Sequence, residues 1–268
     1  EAVEYSKKVI DAGYTLESNY RKISLNDNTN SPEFIMTINY DGQKSQVFGG
    51  TTFLTHAAIG GSMQAGDYGV DFGWGGLRTT KALVNLFPNG ANSADRRANF
   101  YTNGQNLEIS SLTNFTDGFA VPKFQNKTST GTPGANITFV DADFPLFRLP
   151  EMYLIYAEAV KRGGGGGSDA TAVSYINRLR ERAIGNKSGN VTTYTLDMIL
   201  DERARELYWE GFRRTDLIRF GYFTSGDYVW PFKGGDVAGV AVPSYVNLYP
   251  IPTADIVLNR NLTQNTGY

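Results

Sequence analysis

Residues 201–221 read DERARELYWEGFRRTDLIRFG, a stretch that predicts a helix whose charges follow the helical repeat. Glu202, Glu206 and Glu210 are spaced four residues apart and therefore share one face, with several arginines in the same stretch. Carboxylates stacked in this way suit acid–base chemistry. A face of Glu–Arg ion pairs explains the same pattern at least as well, so the sequence leaves a catalytic and a structural interpretation open.

Apolar residues recur at helical spacing in other parts of the chain as well. The segments are EAVEYSKKVIDAG (1–13), FRLPEMYLIYAEAVKRGG (147–164) and DATAVSYINRLRERAIG (169–185). The run GGGGGSD at 163–169 lacks the Gly-Lys-Ser/Thr of a phosphate-binding loop and follows a helix rather than a strand. We therefore interpret it as an interhelix turn that ends in an N-cap.

Strand and loop signals fill the remaining segments of the first half. Residues 34–48 alternate between apolar and polar around an Asp-Gly pair, which predicts a β-hairpin. Residues 49–76 are rich in glycine and aromatic residues without a sustained period, which indicates an ordered, irregular loop. Residues 78–90 predict a short helix ended by proline and glycine, and 115–126 predict an extended pair.

The composition excludes several classes of site. The chain has 268 residues, of which 41% are hydrophobic, and a net charge of −2, so nothing favours nucleic acid as a partner. It has no cysteine, which excludes disulfides and thiolate chemistry. Its one histidine, His56, lies in the apolar context TFLTHAAIG, and no Gly-x-Ser-x-Gly motif accompanies it, which favours a structural histidine. The sequence contains no run of about twenty apolar residues and therefore predicts no membrane-spanning helix.

Trp74 lies in the stretch GDYGVDFGWGGLRTT (66–80), among glycines that offer it few packing partners. A tryptophan is a large apolar surface that is normally surrounded by other side chains. In such a loop it is either pressed into the body of the fold or presented to a ligand. The residues by themselves leave both alternatives open.

Four stretches in order resemble the signature of the SusD/RagB family of nutrient-binding lipoproteins of the Bacteroidetes outer membrane. They are FRLPEMYLIYAEAV (147–160), YINRLRERA (175–183), DERARELYWEGFRRTDLIRFG (201–221) and YPIPTADIVLNRNLTQNTGY (249–268). The resemblance implies a mostly α-helical, α+β fold, in which tetratricopeptide-type helices pack on a C-terminal subdomain of helices, short strands and long loops. Residues 1–20 would be the last repeat helix, and residues 21–268 the ligand-binding subdomain.

The family resemblance also implies a function. Its members are non-catalytic cell-surface proteins that bind glycans and deliver them to a TonB-dependent, SusC-like transporter, without an organic cofactor. The N-terminal half of the same protein, with a lipid-anchored cysteine, is expected to lie outside this chain. In this interpretation the Glu–Arg helix is structural.

The chain looks most similar to the starch-binding member of the family, in which an arc of aromatic side chains holds the curved face of an α-glucan. The residues that match this arc are Trp74 and Phe48, the latter standing where that member has a tyrosine. Tyr68, Phe72 and Asp71 are further candidate contacts. The apolar face of a pyranose stacks on an aromatic ring, and several rings on a curve would select a curved polymer.

The resemblance further implies a structural Ca²⁺ ion, since hard oxygen ligands from distant segments suit calcium. The matching residues are Asp27 in SLNDNTN, and Asp141 and Asp143 in VDADFPLFRL. Ordinary turn and capping aspartates are the alternative.

Three alternatives to the α-glucan hypothesis remain at the level of sequence. The first is a glycoside hydrolase that uses two carboxylates, for which Asp67 and Asp71 beside the tryptophan are candidates. The second is a binder of another nutrient, such as a β-glucan, a fructan, a host glycan or a peptide. The third is a mainly structural transporter lid.

Overall fold

The computed structural model describes all 268 residues of the chain. The helices are α1 (Ala2–Ile10), α2 (Gly50–His56), α3 (Lys81–Val84), α4 (Leu149–Lys161), α5 (Asp169–Ile184), α6 (Leu196–Leu207), α7 (Arg213–Arg219) and α8 (Thr253–Leu258). The strands are β1 (Phe34–Ile38) and β2 (Phe144–Arg148). The predicted class, mostly helical with short strands and long loops, is confirmed.

The chain divides into two compact units, Glu1–Gly211 and Phe212–Tyr268. Helix α1 packs against α4 inside the first unit, and its Val3 is a buried member of the main core. The predicted boundary after residue 20 therefore does not separate compact units. The assignment of α1 to a tetratricopeptide-like repeat stays a prediction.

The main core of the first unit lies between α1, α4, α5 and α6. Leu149, Leu154, Leu179 and Ile199 are completely buried there. The periodicity of the sequence predicts these helices because their apolar residues recur on one face. The glycine-rich turn before α5 ends at Ser168, whose hydroxyl accepts a hydrogen bond from the Thr171 amide at 3.2 Å, so the predicted N-cap is confirmed.

The predicted hairpin at 34–48 is wrong, because β1 pairs in antiparallel orientation with the distant β2. Phe34 lies opposite Arg148, and Ile38 lies opposite Phe144. The Asp41 carboxylate accepts hydrogen bonds from the amides of Gln43 and Lys44, and these bonds close a local turn instead of a hairpin. Alternation predicts a strand but does not identify its partner.

Two further predictions for the loop regions need correction. The stretch 49–76 is not wholly irregular, because it contains α2. Glycine, three threonines and histidine form helices poorly on their own, so the contacts of the folded unit rather than local propensity determine this helix. Residues 115–126 form no regular strand, and only isolated bridges from Asp117, Phe119 and Ala120 occur there.

Buried ion pairs connect β2 and α6 with residues of neighbouring loops in the first unit. Arg148 donates to Glu33 at 2.8 Å, to Glu206 at 2.5 Å and to Glu210 at 2.7 Å. Glu206 also accepts from Arg97 at 3.0 Å. The predicted single helix over 201–221 is wrong, because α6 ends at Leu207 and Glu210 lies beyond it. All three carboxylates are nevertheless buried and paired with cations, which confirms the structural interpretation of the Glu–Arg stretch.

The second unit contains α7, α8 and long connections held by side-chain contacts to backbone carbonyls. The Lys233 ammonium group donates to the carbonyl oxygens of Tyr222, Ser225 and Tyr228 at 3.2, 2.6 and 2.7 Å. Near the end of the chain, the Tyr268 hydroxyl donates to the Leu248 carbonyl at 2.7 Å. A buried ammonium group thus organises a segment that has little regular structure.

Candidate functional site

Five aromatic side chains form an accessible apolar surface in the first unit, named here the aromatic platform: Phe48, Phe53, Phe72, Trp74 and Phe139. The exposed fractions of Phe48, Phe53 and Phe72 are 60%, 43% and 50%, and the other two are half-buried. Ring centroids lie 6.3 Å apart for Phe48 and Trp74, and 6.0 Å apart for Phe53 and Trp74. The Phe48–Phe139 distance is 5.2 Å. Adjoining ring planes are tilted by 51° to 56°, so the platform is faceted rather than flat.

The glycines around Trp74 let its loop lie directly on the end of α2. The amides of Trp74 and Gly75 donate to the carbonyls of His56 and Ile59, both at 2.8 Å. A Cβ atom on Gly73 would lie only 2.3 Å from the Ile59 carbonyl oxygen, so this position requires glycine. The indole stacks on the buried His56 ring, with centroids 4.9 Å apart and planes 23° apart. Trp74 therefore combines both predicted alternatives, because one face is packed and the side chain remains half-exposed.

Asp71 joins the tryptophan loop to the segment that carries Phe139. Its carboxylate accepts hydrogen bonds from the Phe72 amide at 2.9 Å and from the Thr138 hydroxyl at 2.5 Å. The same segment is bonded to α2, where the Val140 amide donates to the Thr52 hydroxyl at 3.1 Å. Asp71 is exposed and close to the rings, but its two oxygens hold the loops of the platform together.

The structure brings only part of the predicted site together. Phe48 and Trp74 are in ring contact within the platform, and Phe72 adjoins it through the His56 ring at 5.4 Å. Tyr68 packs instead against the core group that contains Ile59. Phe53 and Phe139 were not predicted as platform residues. The phenylalanine of the stretch TTFLT in α2 is the signal for Phe53, but it requires that the helix be recognised first.

The predicted calcium ligands, Asp27, Asp141 and Asp143, do not form one carboxylate cluster. The Asp141 carboxylate accepts from the amides of Gly42 and Ala135, both at 2.6 Å. Asp27 accepts from the amide and the hydroxyl of Ser129 at 2.9 and 2.6 Å. Since these donors direct hydrogen atoms at the oxygens that a cation would need, the residues as arranged do not fit the ion. Calcium binding stays a prediction from the resemblance.

The known sequences that resemble this chain are all of the SusD type. The SusD family (SusD_RagB) matches residues 97–268 of the chain. The starch-binding protein SusD of Bacteroides thetaiotaomicron is 36% identical over 317 residues, which cover 100% of this chain and 56% of that protein. SusD-like protein P25 of Formosa agariphila is 33% identical over 132 residues, covering 46% of this chain and 24% of that protein. The chain thus spans about half the length of the first of these curated relatives.

Solved structures with the same fold cover nearly the whole chain. Surface glycan-binding protein A from Bacteroides thetaiotaomicron, in complex with laminarihexaose, has a TM-score of 0.73 and 26% identity. The match covers 98% of this chain and 58% of that one. A SusD superfamily protein from Parabacteroides distasonis has a TM-score of 0.68 and 23% identity, covering 99% of this chain and 56% of that one. The second likeness concerns the fold alone.

Proposed function

The chain belongs to the SusD family, and we propose that it binds a curved glucan oligosaccharide on the aromatic platform. SusD family members are non-catalytic glycan-binding proteins, so the chain is not an enzyme and the glycoside-hydrolase alternative is set aside. In this proposal Asp71 supports the platform through its hydrogen bonds to Phe72 and Thr138.

The tilt between the rings is the observation that carries the proposal. A pyranose packs the apolar C–H groups of one face flat on an aromatic ring. Because adjoining rings differ by 51° to 56°, a straight β-1,4-linked chain could lie flat on only one or two of them. A helical glucan turns between successive sugars and can follow several facets. The faceted platform therefore supports a curved polymer as the ligand.

Two kinds of curved glucan have support. The whole chain is 36% identical to a relative named as starch-binding, which favours an α-1,4-linked glucan. A structural relative at 26% identity was solved with laminarihexaose, a β-1,3-linked glucan that is also helical. We take the starch-like α-glucan as the first candidate because of the higher identity, and the laminarin-type glucan as the second.

The place of action is proposed from the family. SusD homologues are cell-surface, outer-membrane proteins, and none of the helices in the structure combines the length and hydrophobicity needed to cross a membrane. The resemblance supports a lipid-anchored location at the cell surface. It also supports a SusC-like, TonB-dependent transporter as the partner that receives the glucan.

Calorimetry with maltoheptaose, laminarihexaose and cellohexaose tests the function. We expect the curved glucans to bind and the straight cellohexaose not to bind. Trp74→Ala should weaken binding by about tenfold to a hundredfold, since stacking on one aromatic ring contributes about 1–3 kcal/mol in the nucleic-acid analogue. Leu112→Ala, which truncates another exposed apolar side chain, serves as the control and should bind like wild type. Binding of none of these glucans, or binding indifferent to Trp74, would refute the proposal.

A further inference from the structure

His56 lies directly beneath the aromatic platform and has no solvent exposure. It is the last residue of α2, and its ring supports the Trp74 indole at a centroid distance of 4.9 Å. The Phe72 ring contacts it edge-on at 5.4 Å. The His56 carbonyl also accepts the Trp74 amide at 2.8 Å. Ring and backbone of one residue thus hold the loop that presents Trp74.

Both ring nitrogens of His56 face backbone carbonyl oxygens. Nδ1 lies 2.7 Å from the Phe72 oxygen, and Nε2 lies 2.8 Å from the Thr138 oxygen. A carbonyl oxygen accepts hydrogen bonds and never donates them, and a neutral imidazole carries only one N–H. Both bonds therefore form together only when both nitrogens carry hydrogen, which makes the ring a cation. Burial opposes a charge, whereas the two carbonyl acceptors, the helix C-terminus and the indole face favour a cation.

We propose that doubly protonated His56 is the positioning residue of the aromatic platform and that glucan affinity depends on its charge. The second part rests on the proposed function of the platform. The ring connects two segments, one with Phe72 and Trp74, and the other with Thr138 next to Phe139. If the ring loses a proton, a nitrogen lone pair faces a carbonyl oxygen less than 3 Å away, and one of the two segments must move.

Few other ionisable groups lie on the elements packed around His56. Helix α2 carries no other ionisable residue. The tryptophan loop contributes Asp67, Asp71 and Arg78, and the segment before β2 contributes Asp141 and Asp143. The Asp141 carboxylate accepts the amides of Gly42 and Ala135. A free aspartate side chain titrates at about pH 4, well below a series from about pH 6 to about pH 9. Neutral glucans do not titrate in this range.

The protonation state can be measured directly, because His56 is the only histidine in the chain. Nitrogen-15 NMR of tag-free protein gives the two ring nitrogens without any need for assignment. We expect both nitrogens to be protonated at neutral pH. A neutral tautomer at neutral pH would overturn the proposal, whatever the protein binds.

Calorimetry with maltoheptaose over the same pH series tests the dependence of affinity on charge. We expect affinity to fall about tenfold, the equivalent of one hydrogen bond of about 1.4 kcal/mol, at the pH where the NMR signals report loss of the proton. If His56 stays doubly protonated over the whole series, the affinity should stay constant. A change in one measurement without the other would overturn the dependence.

The variant His56→Gln separates charge from simple space filling. A glutamine amide carries its N–H groups on one nitrogen and cannot bridge both carbonyls, so we expect binding about tenfold weaker and independent of pH. Wild-type affinity in this variant, or a retained pH dependence, contradicts the proposal. If wild-type protein binds no glucan at any pH, the proposed function fails, while the NMR result still decides the protonation state.

Discussion

Replacing Glu206 with glutamine tests how strongly the buried ion pairs stabilise the first unit. The Glu206 side chain has no solvent exposure and accepts hydrogen bonds from Arg97 at 3.0 Å, from Arg148 at 2.5 Å and from Arg182. Removing one partner of a buried pair costs about 3–5 kcal/mol, because the opposite charge stays buried without compensation. Since glutamine keeps one acceptor oxygen, we expect the free energy of unfolding to fall by about 3 kcal/mol.

Urea unfolding measures this loss directly, and thermal unfolding provides a second reading. For a chain of this size, about 3 kcal/mol corresponds to a decrease in Tm of about 6–12 °C. Glu108→Gln is the matched control, because the Glu108 and Lys81 side chains form a pair that is 69% and 42% exposed. Breaking such a surface pair should cost less than about 1 kcal/mol. Equal losses in the two variants would refute the argument from burial.

Three further predictions concern acid, the tryptophan loop and calcium. Burial raises the pKa of Glu202, but three neighbouring arginines outweigh it and lower the pKa to about 2 from 4.5. The ionised Glu202 therefore contributes its full stability above pH 4.5, and this contribution is lost as the pH falls toward 2. A Tm that stays constant from about pH 6 to about pH 3 would contradict this prediction. Gly73→Ala should weaken maltoheptaose binding by about tenfold by lifting the loop off Ile59, whereas Gly66→Ala, with open space around its Cβ, should bind normally. EDTA should leave Tm unchanged, because N–H donors occupy the aspartate oxygens of the predicted calcium site, and a rise in Tm with added Ca²⁺ would restore that prediction.

The elements with strong local signals were predictable from the sequence. Helices α4 and α5 follow from apolar spacing, and the turn between them follows from its glycines and the Ser168 cap. The pairing of β1 with β2 was not predictable, because the partner lies more than a hundred residues away and periodicity carries no information about it. Helix α2 was not predictable either, because its residues do not favour a helix by themselves. Its intrinsic propensity is poor, and burial in the folded unit decides its conformation.

Some residues of the candidate site were also predictable from the sequence, and others were not. Trp74 and Phe48 were identified through the resemblance, and the structure brings their rings to 6.3 Å from each other. Phe139 was not identified, because its contact with Phe48 depends on the fold of a long irregular segment. The role of His56 as the support of Trp74 follows from the stacking of the two rings, and from two carbonyl contacts of the imidazole that no sequence pattern specifies.

Selection of a ligand by shape requires that the rings keep their tilt in the absence of ligand. Exposed aromatic side chains on a mobile loop could turn to lie flat on a straight polymer and would lose discrimination. Here the Trp74 loop is fixed to α2 by backbone hydrogen bonds and by its stacking on His56. The Phe139 segment is fixed to the same helix through Thr52. Because the facets are set before binding, little conformational entropy is lost on association, and a glucan of the wrong curvature cannot recover contacts by rearranging the platform.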